Sequence, residues 1–413
     1  MSEHLNLRGA DKAHPVLFLI LLLPLGIASG YVTVTLAYLL SHAGVSIGAI
    51  AGLVALSLFP QTWKVLWAPI VDTTLTTKKW FLISAVATGA LMIATAIVPR
   101  NLANLRLIEV LVMLFSVGAS VNAMAGEALM AHATSAEEKG RTGGWSQAGL
   151  LGGAGLGGGA GLWLAQHVGA SWVSGGVLGA VCVLSSIAVL FLDEPPAEHR
   201  VTLYRQSVVN VAKDVWSVLR SRTGFLALVL MILPIGLGAA SNLWAAVADD
   251  WHASANVVAL VNGALGGILS MFGCVVGGYA SDVMDRQTAY CAFGVALAIC
   301  AVAMALAPRT EAMFVVFTGL YAFILGFCFA AFGAVTFEAI GRGAAATKYN
   351  LIASVSNISI AYLTMINGWA QTRWGSGGML YIEAACGVVA VALFAIVAAA
   401  ARALPPSPVT ATA

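Results

Sequence analysis

Five ionisable side chains sit inside long apolar runs: Lys64, Glu109, Glu127, Glu338 and Glu383. An unpaired charge in hydrocarbon is unfavourable by several kcal/mol, so such residues mark ion pairs, relays or solute paths. Lys64 stands in "WKVLWAPIVD", about two turns or roughly 12 Å before Asp72. Its ammonium must face an acid, a carbonyl or a wet cavity. Carboxylates and phosphates are natural ligands of such a point charge. Two readings follow: contact with an anionic solute or coupling, and a structural pair with Glu127. Glu127 and Glu338 occupy equivalent places in two distant runs. A carboxyl in low dielectric is driven toward its neutral form, which suits it to carry a proton. Glu109 and Glu383 lie within about two turns of a run's end, where a solvated or snorkelling side chain accounts for them.

These residues need long apolar elements to hold them. The chain has 413 residues, 60% hydrophobic and 9% charged; ordinary soluble domains carry about 25% charged residues. It cannot cover a water-facing surface and is built for lipid. A net charge of +2 gives no argument for nucleic acid. All six cysteines fall in apolar segments without a CxxC pair, so they read as small core residues, not a disulfide framework or metal site. No cofactor motif appears. "GGWSQAGLLGGAGLGGGAG" contains a formal dinucleotide fingerprint at Gly153, Gly155 and Gly158, but no strand precedes it. "GWSQA" ends in Ala148 where a nucleophile elbow needs glycine, and no enzyme is expected.

Twelve apolar stretches of about 20 residues or more predict an all-α membrane protein with twelve transmembrane helices. They run roughly 15–40, 46–71, 80–98, 104–131, 142–167, 173–192, 223–248, 255–280, 288–307, 311–340, 346–370 and 378–402. The first is too long for a signal peptide and is expected to be retained. With both termini cytoplasmic, fifteen Lys and Arg residues fall inside. Four, Arg100, Arg106, Arg309 and Arg373, fall outside, and Lys64 stays in the membrane. That asymmetry supports both count and topology. Residues 193–222 form the longest polar stretch. "DEPP" stops helix six, and Leu203, Val208, Val211, Val215 and Leu219 fall near one face of an amphipathic surface helix. It separates a six-helix half at 1–192 from another at 223–413.

The two halves share landmarks. "LPLGIASG" from Leu23 returns as "LPIGLGAAS" from Leu233, and Asp72 returns as Asp282, both at an offset of 210. Pro99–Arg100 returns at Pro308–Arg309, and Glu127 as Glu338, within one residue of that offset. Six spans return the chain to its starting side, so the repeats are parallel. Such duplication is an architecture of secondary transporters, with the solute site near the midplane between repeats. Lys64 has no counterpart, since Cys274 stands at its offset.

These patterns resemble the major facilitator superfamily. "APIVDTTLTTKK" is similar to its loop motif of Gly-x-x-x-Asp followed by basic residues, with Ala68 for the glycine and Lys78 and Lys79 further out. "GGYASDVMDRQ" matches more closely through Gly278, Asp282 and Arg286. "WKVLWAPIVD" and "SAEEKGRTGGWSQAGLLGGAGL" resemble the branch of muropeptide permeases, acetyl-coenzyme A transporters and single-subunit siderophore permeases. Val121 and Asn122 replace a Gln-Asp pair usual in the first two groups, which favours the siderophore side.

The resemblance implies a monomeric secondary transporter in a bacterial inner membrane. It would be proton-driven and work by alternating access, importing a medium-sized anionic or chelating solute, best a siderophore. Muropeptide or acetyl-coenzyme A-like permeases and drug efflux are the alternatives. Small solute and lipid bilayer are its only implied partners. The resemblance places Asp72, Lys78, Lys79, Glu127, Asp282, Arg286 and Glu338 at an inner gate. There Glu127 pairs with Lys78 or Lys79, Glu338 pairs with Arg286, and the aspartates accept bonds from helix N-termini. Tyr31, Asn122, Trp145, Gln147, Asn242, Trp244, Tyr321 and Asn357 would join Lys64 around a central cavity, or else pack between helices. Gly149, Gly153, Gly157 and Gly161, with the pair Gly155 and Gly159, would form a smooth seam of helix five against helix eight.

Overall fold

A computed structural model describes residues 14–168, 170, 172–194, 204–340 and 345–403. Among them every regular element is helical: α1 (Val16–His42), α2 (Ile47–Thr73), α3 (Thr77–Ile97), α4 (Leu105–Ala133), α5 (Lys139–His167) and α6 (Val173–Phe191). There follow α7 (Tyr204–Arg220), α8 (Arg222–Ile232), α9 (Asn256–Val283), α10 (Arg286–Leu306), α11 (Glu311–Ile340) and α12 (Ala345–Arg402). Hydrocarbon offers backbone groups no water, so each segment must satisfy its own hydrogen bonds. Ser46, Thr76, Ser221 and Asp285 start α2, α3, α8 and α10 by accepting a bond from a backbone N–H three residues on.

Among the described residues, nine helices are long and apolar enough to cross a membrane. The expectation of twelve differs from that count at three places. First, α2 is not among the nine, although at 27 residues it has spanning length. Second, the continuous helix expected over 223–248 is corrected: it stops at Ile232. Pro234 lacks an N–H, and Gly236 and Gly238 take left-handed φ of 63° and 69°. Short turns over Ala239–Leu243, Trp244–Val247 and Ala248–Trp251 follow. Third, α12 runs 58 residues, about 87 Å if straight, against a hydrocarbon core of about 30 Å. Gly375 breaks it with φ 70°. Asn367 and Glu383, which a straight helix would hold roughly 24 Å apart, are hydrogen-bonded across that break. The chain therefore doubles back there into two arms of spanning length, as 346–370 and 378–402 anticipated.

Helix α7 lies in the expected amphipathic stretch; Leu203, Arg8, Lys12, Arg200 and Arg342 fall outside the described residues.

Glycine sets the helix spacing. A Cβ added at Gly149, Gly153 or Gly157 would lie 2.0, 2.7 or 2.2 Å from the carbonyl oxygens of Leu19, Leu23 and Ile27. That stripe therefore seats α5 on α1, which corrects the seam expected from it. The pair Gly155 and Gly159 does face α9, the expected helix eight, meeting Gly267 and Ala264, and Gly140 and Gly144 extend that face to the backbone near Gly278. Backbone thus meets backbone on two sides of one helix, the small-residue packing that membranes favour.

Candidate functional site

Four helix ends interlock at one end of the bundle, here called the lower end. Asp72, closing α2, accepts from the Ala346 and Thr347 N–H groups at 3.3 and 2.9 Å and from the Thr347 hydroxyl at 2.6 Å. Asp282, closing α9, accepts from the Gly140 and Arg141 N–H groups at 2.7 and 3.2 Å and from Arg141 Nε at 2.7 Å. Each carboxylate meets the first turn of another helix, α12 or α5, where unpaired N–H groups and the helix dipole favour an anion. Arg286 stands 3.4 Å from Glu338 and also donates to the Ala136 carbonyl. Lys78 enters differently: its N–H and that of Thr77 donate to Glu194 at 3.1 and 2.7 Å.

Above the interlock lies a buried pair. Lys64 Nζ is 3.5 Å from Glu127 Oε1, with both side chains under a tenth exposed. Asn350 of α12 donates to Glu127 Oε2 at 2.8 Å. Glu127 is thus held by Lys64, not by Lys78 or Lys79 as the resemblance implied. The basic pair lies in the first turn of α3, while Lys64 reaches Glu127 directly between α2 and α4. Lys64, Glu127, Gln147, Tyr349, Phe332 and Asn357 border a cavity of about 220 Å³. Gln147 of α5 donates to Tyr349 of α12 at 3.3 Å across it.

A larger cavity of about 470 Å³ lies further up, lined by Thr33, Ser241, Asn242, Trp244, Ser270 and Tyr321 among others. Phe329 and Ile360 border both cavities. The order reads directly along α11: Tyr321 on the upper cavity, Phe329 on both, Phe332 on the lower, then Glu338 in the interlock. From Tyr321 to Glu338 is about 25 Å, most of a membrane. Helix breaks give the upper cavity its wall. The left-handed Gly238 and the turns that follow bring Ser241, Asn242 and Trp244 to it. Trp244 packs edge-on to Tyr321 with centroids 5.2 Å apart.

Of the nine residues expected around a cavity, Lys64, Gln147, Asn242, Trp244, Tyr321 and Asn357 border one. Tyr31, Asn122 and Trp145 border neither, which corrects their placement. Tyr31 is buried against Phe115, Asn122 ties α4 to α3 through the Phe81 carbonyl at 3.0 Å, and Trp145 packs into the core. Glu109 is partly exposed near the start of α4. Glu383 is no snorkelling end: it is 6% exposed and accepts from the Tyr321 hydroxyl and the Asn367 amide. Asn350 and Asn367 escaped sequence reasoning. Their available signal was spacing, since Asn367 and Glu383 lie eight residues either side of Gly375.

A family model described as Major Facilitator Superfamily matches residues 16–363. No curated protein matches the chain. Among solved structures, the E. coli fucose:proton symporter FucP is similar at a TM-score of 0.67 and 14% identity, over 93% of this chain and 98% of that one. The human organic anion transporter MFSD10 gives 0.66 and 15%, over 93% and 99%. The proton:xylose symporter XylE, solved with 6-bromo-6-deoxy-D-glucose, gives 0.63 and 16%, over 92% and 95%. At these identities the likeness is one of fold.

Proposed function

The chain belongs to the major facilitator superfamily, a multi-pass membrane transporter and not an enzyme, and from that premise we propose that it is a proton-driven secondary transporter. It moves a medium-sized solute by alternating access between a half at 1–192 and a half at 223–413. The observation that carries this reading is the stack of two cavities above a closed interlock. Asp72 to α12 and Asp282 to α5 each tie one half to the other. With both termini cytoplasmic, as the positive residues favour, the lower end is the cytoplasmic gate and this state is closed toward the cytoplasm.

The proposed cargo is an anionic chelator of the siderophore kind, imported across a bacterial inner membrane. The sequence resemblance favours it, and Lys64 supplies the chemistry. An anion descending from the upper cavity competes with Glu127 for the Lys64 ammonium. Glu127 also holds Asn350 of α12, so losing Lys64 loosens one tie between the halves just above the gate. A second reading rests on the upper cavity, whose lining, among the described residues, includes no charged side chain. That suits a neutral hydroxylated solute, as the similar fucose and xylose symporters carry. Proteoliposomes given labelled ferric siderophore, muropeptide or sugar under an imposed proton gradient decide between them. Siderophore accumulation that an uncoupler and Lys64→Met each abolish is the expected result. Accumulation of sugar alone, indifferent to Lys64→Met, would replace the first reading with the second.

A further inference from the structure

Among the described residues, Glu383 is the one buried acid for which the proposed gate and solute path have no use. It sits eight residues beyond the Gly375 turn, and Val173 stands at its repeat offset, so no duplicated structural role explains it. Among the described residues, no cation forms an ion pair with it. Its neighbours are neutral donors from three separate elements. The Tyr321 hydroxyl of α11 donates to Oε1, the Asn367 amide of the first α12 arm donates to Oε2, and the Ala240 N–H of the broken segment faces it. The other titratable groups nearby are thiols: Cys386 on its own arm, with Cys300 and Cys328 around Tyr321.

This cage can hold both protonation states. A carboxylate accepts from Tyr321 and Asn367 as seen. A protonated acid needs an acceptor instead, and each oxygen has one at hand: the Tyr321 oxygen stands at Oε1, and beside Oε2 Asn367 carries an Oδ1 that is buried without a hydrogen-bond partner. Turning that amide over exchanges its donor for its acceptor at no steric cost, since the two ends are nearly equal in size. One side chain joins the acid to the cavity wall. Tyr321 lines the upper cavity while its hydroxyl contacts Glu383.

We propose that Glu383 is the proton-binding site of the transport cycle, loaded from the upper cavity through Tyr321; this rests on the proton-driven reading above. A hydronium in the cavity passes its proton to the Tyr321 oxygen as Tyr321 passes its own to Glu383 Oε1. Water is left in the cavity, Tyr321 ends neutral as it began, and Glu383 becomes neutral. Loading removes the negative charge beside the Ala240 N–H. Ala240 directly precedes Ser241 and Asn242, which wall the cavity, so proton binding and solute binding act on one short segment.

Infrared pH-difference spectra of the reconstituted protein test the assignment without any solute. The expected result is a protonated-carboxyl C=O band that titrates in the wild type, is lost in Glu383→Gln and persists in Glu127→Gln. Tyr321→Phe, which keeps the acid but removes one hydrogen bond, should shift that band to higher frequency. A band lost in Glu127→Gln but kept in Glu383→Gln overturns the proposal, as does the absence of any titrating band. In proteoliposomes that accumulate solute, Glu383→Gln should lose accumulation driven by the proton gradient; retained accumulation overturns it too. Wild-type vesicles that accumulate nothing would defeat the transport reading instead, and the spectra would still decide whether Glu383 takes the proton.

Discussion

Replacing Asp282 by Asn should release the lower end. The substitution keeps shape and volume while removing the charge that two N–H groups and Arg141 Nε converge on. One amide oxygen remains as an acceptor, but the new NH₂ faces donors. Each hydrogen bond to a charged group contributes about 1.5–3 kcal/mol. The Arg141 bond is discounted because that side chain is 35% exposed. A net loss of roughly 2–4 kcal/mol follows, which is roughly a 30- to 700-fold shift in the closed-to-open ratio. Spin labels at His132 and Val283, both exposed near the lower ends of α4 and α9, would report it as a second, longer distance population. The native cysteines are buried or partly buried and are replaced beforehand. Asp72→Asn should act in the same direction, and the double variant more strongly than either. A folded Asp282→Asn protein with the wild-type distance distribution would refute the idea that this carboxylate holds the end shut.

Glu127→Gln strands the Lys64 ammonium in a buried site and should cost about 3–5 kcal/mol, read as a lowered Tm in detergent. The double variant with Lys64→Met should recover most of that loss, and additive losses would show that the 3.5 Å pair is not energetically coupled. Gly149→Val should sharply lower folded yield, because even a Cβ there lies 2.0 Å from the Leu19 carbonyl; near-normal yield and Tm would mean α1 and α5 can part freely. Gly375→Ala meets open space but must hold φ 70° with ψ −174°, a region essentially confined to glycine, so it should cost about 1–3 kcal/mol, seen as a fall in Tm without loss of fold. Trp244→Ala should raise the solute KM, since the ring walls the upper cavity, and an unchanged KM would place the solute elsewhere.

Much of this was readable in the chain because it depends on local order. Apolar runs give the helices, and one offset of 210 links Asp72 to Asp282. Both aspartates do meet helix N-termini. What escaped depends on distance between helices, which spacing along one helix does not encode. Glu127 had cations available in the first turn of α3 and in α2, and only packing of α2 on α4 selects Lys64. Depth misled for Glu383. Counting turns from a helix end places it near water, but Tyr321, 62 residues earlier, covers it. The repeat misled too. Pro24 and Pro234 are equivalent letters, yet Pro24 lies within a continuous helix and Pro234 opens a break. The difference lies two residues on. Gly26 is pinned against the Leu150 carbonyl, whereas Gly236 turns left-handed beside Cys328.

The latches at Asp72 and Asp282 take their donors chiefly from peptide N–H groups of α12 and α5. Every residue except proline supplies such a group. Side-chain changes at Gly140, Ala346 or Thr347 can therefore crowd a latch but cannot delete its backbone half. Anyone wishing to bias this machine toward its open state has graded side-chain controls at each latch, the acid itself and the Thr347 hydroxyl or Arg141 guanidinium that meets it. On the backbone side proline at 140, 141, 346 or 347 would each delete one of the two peptide donors.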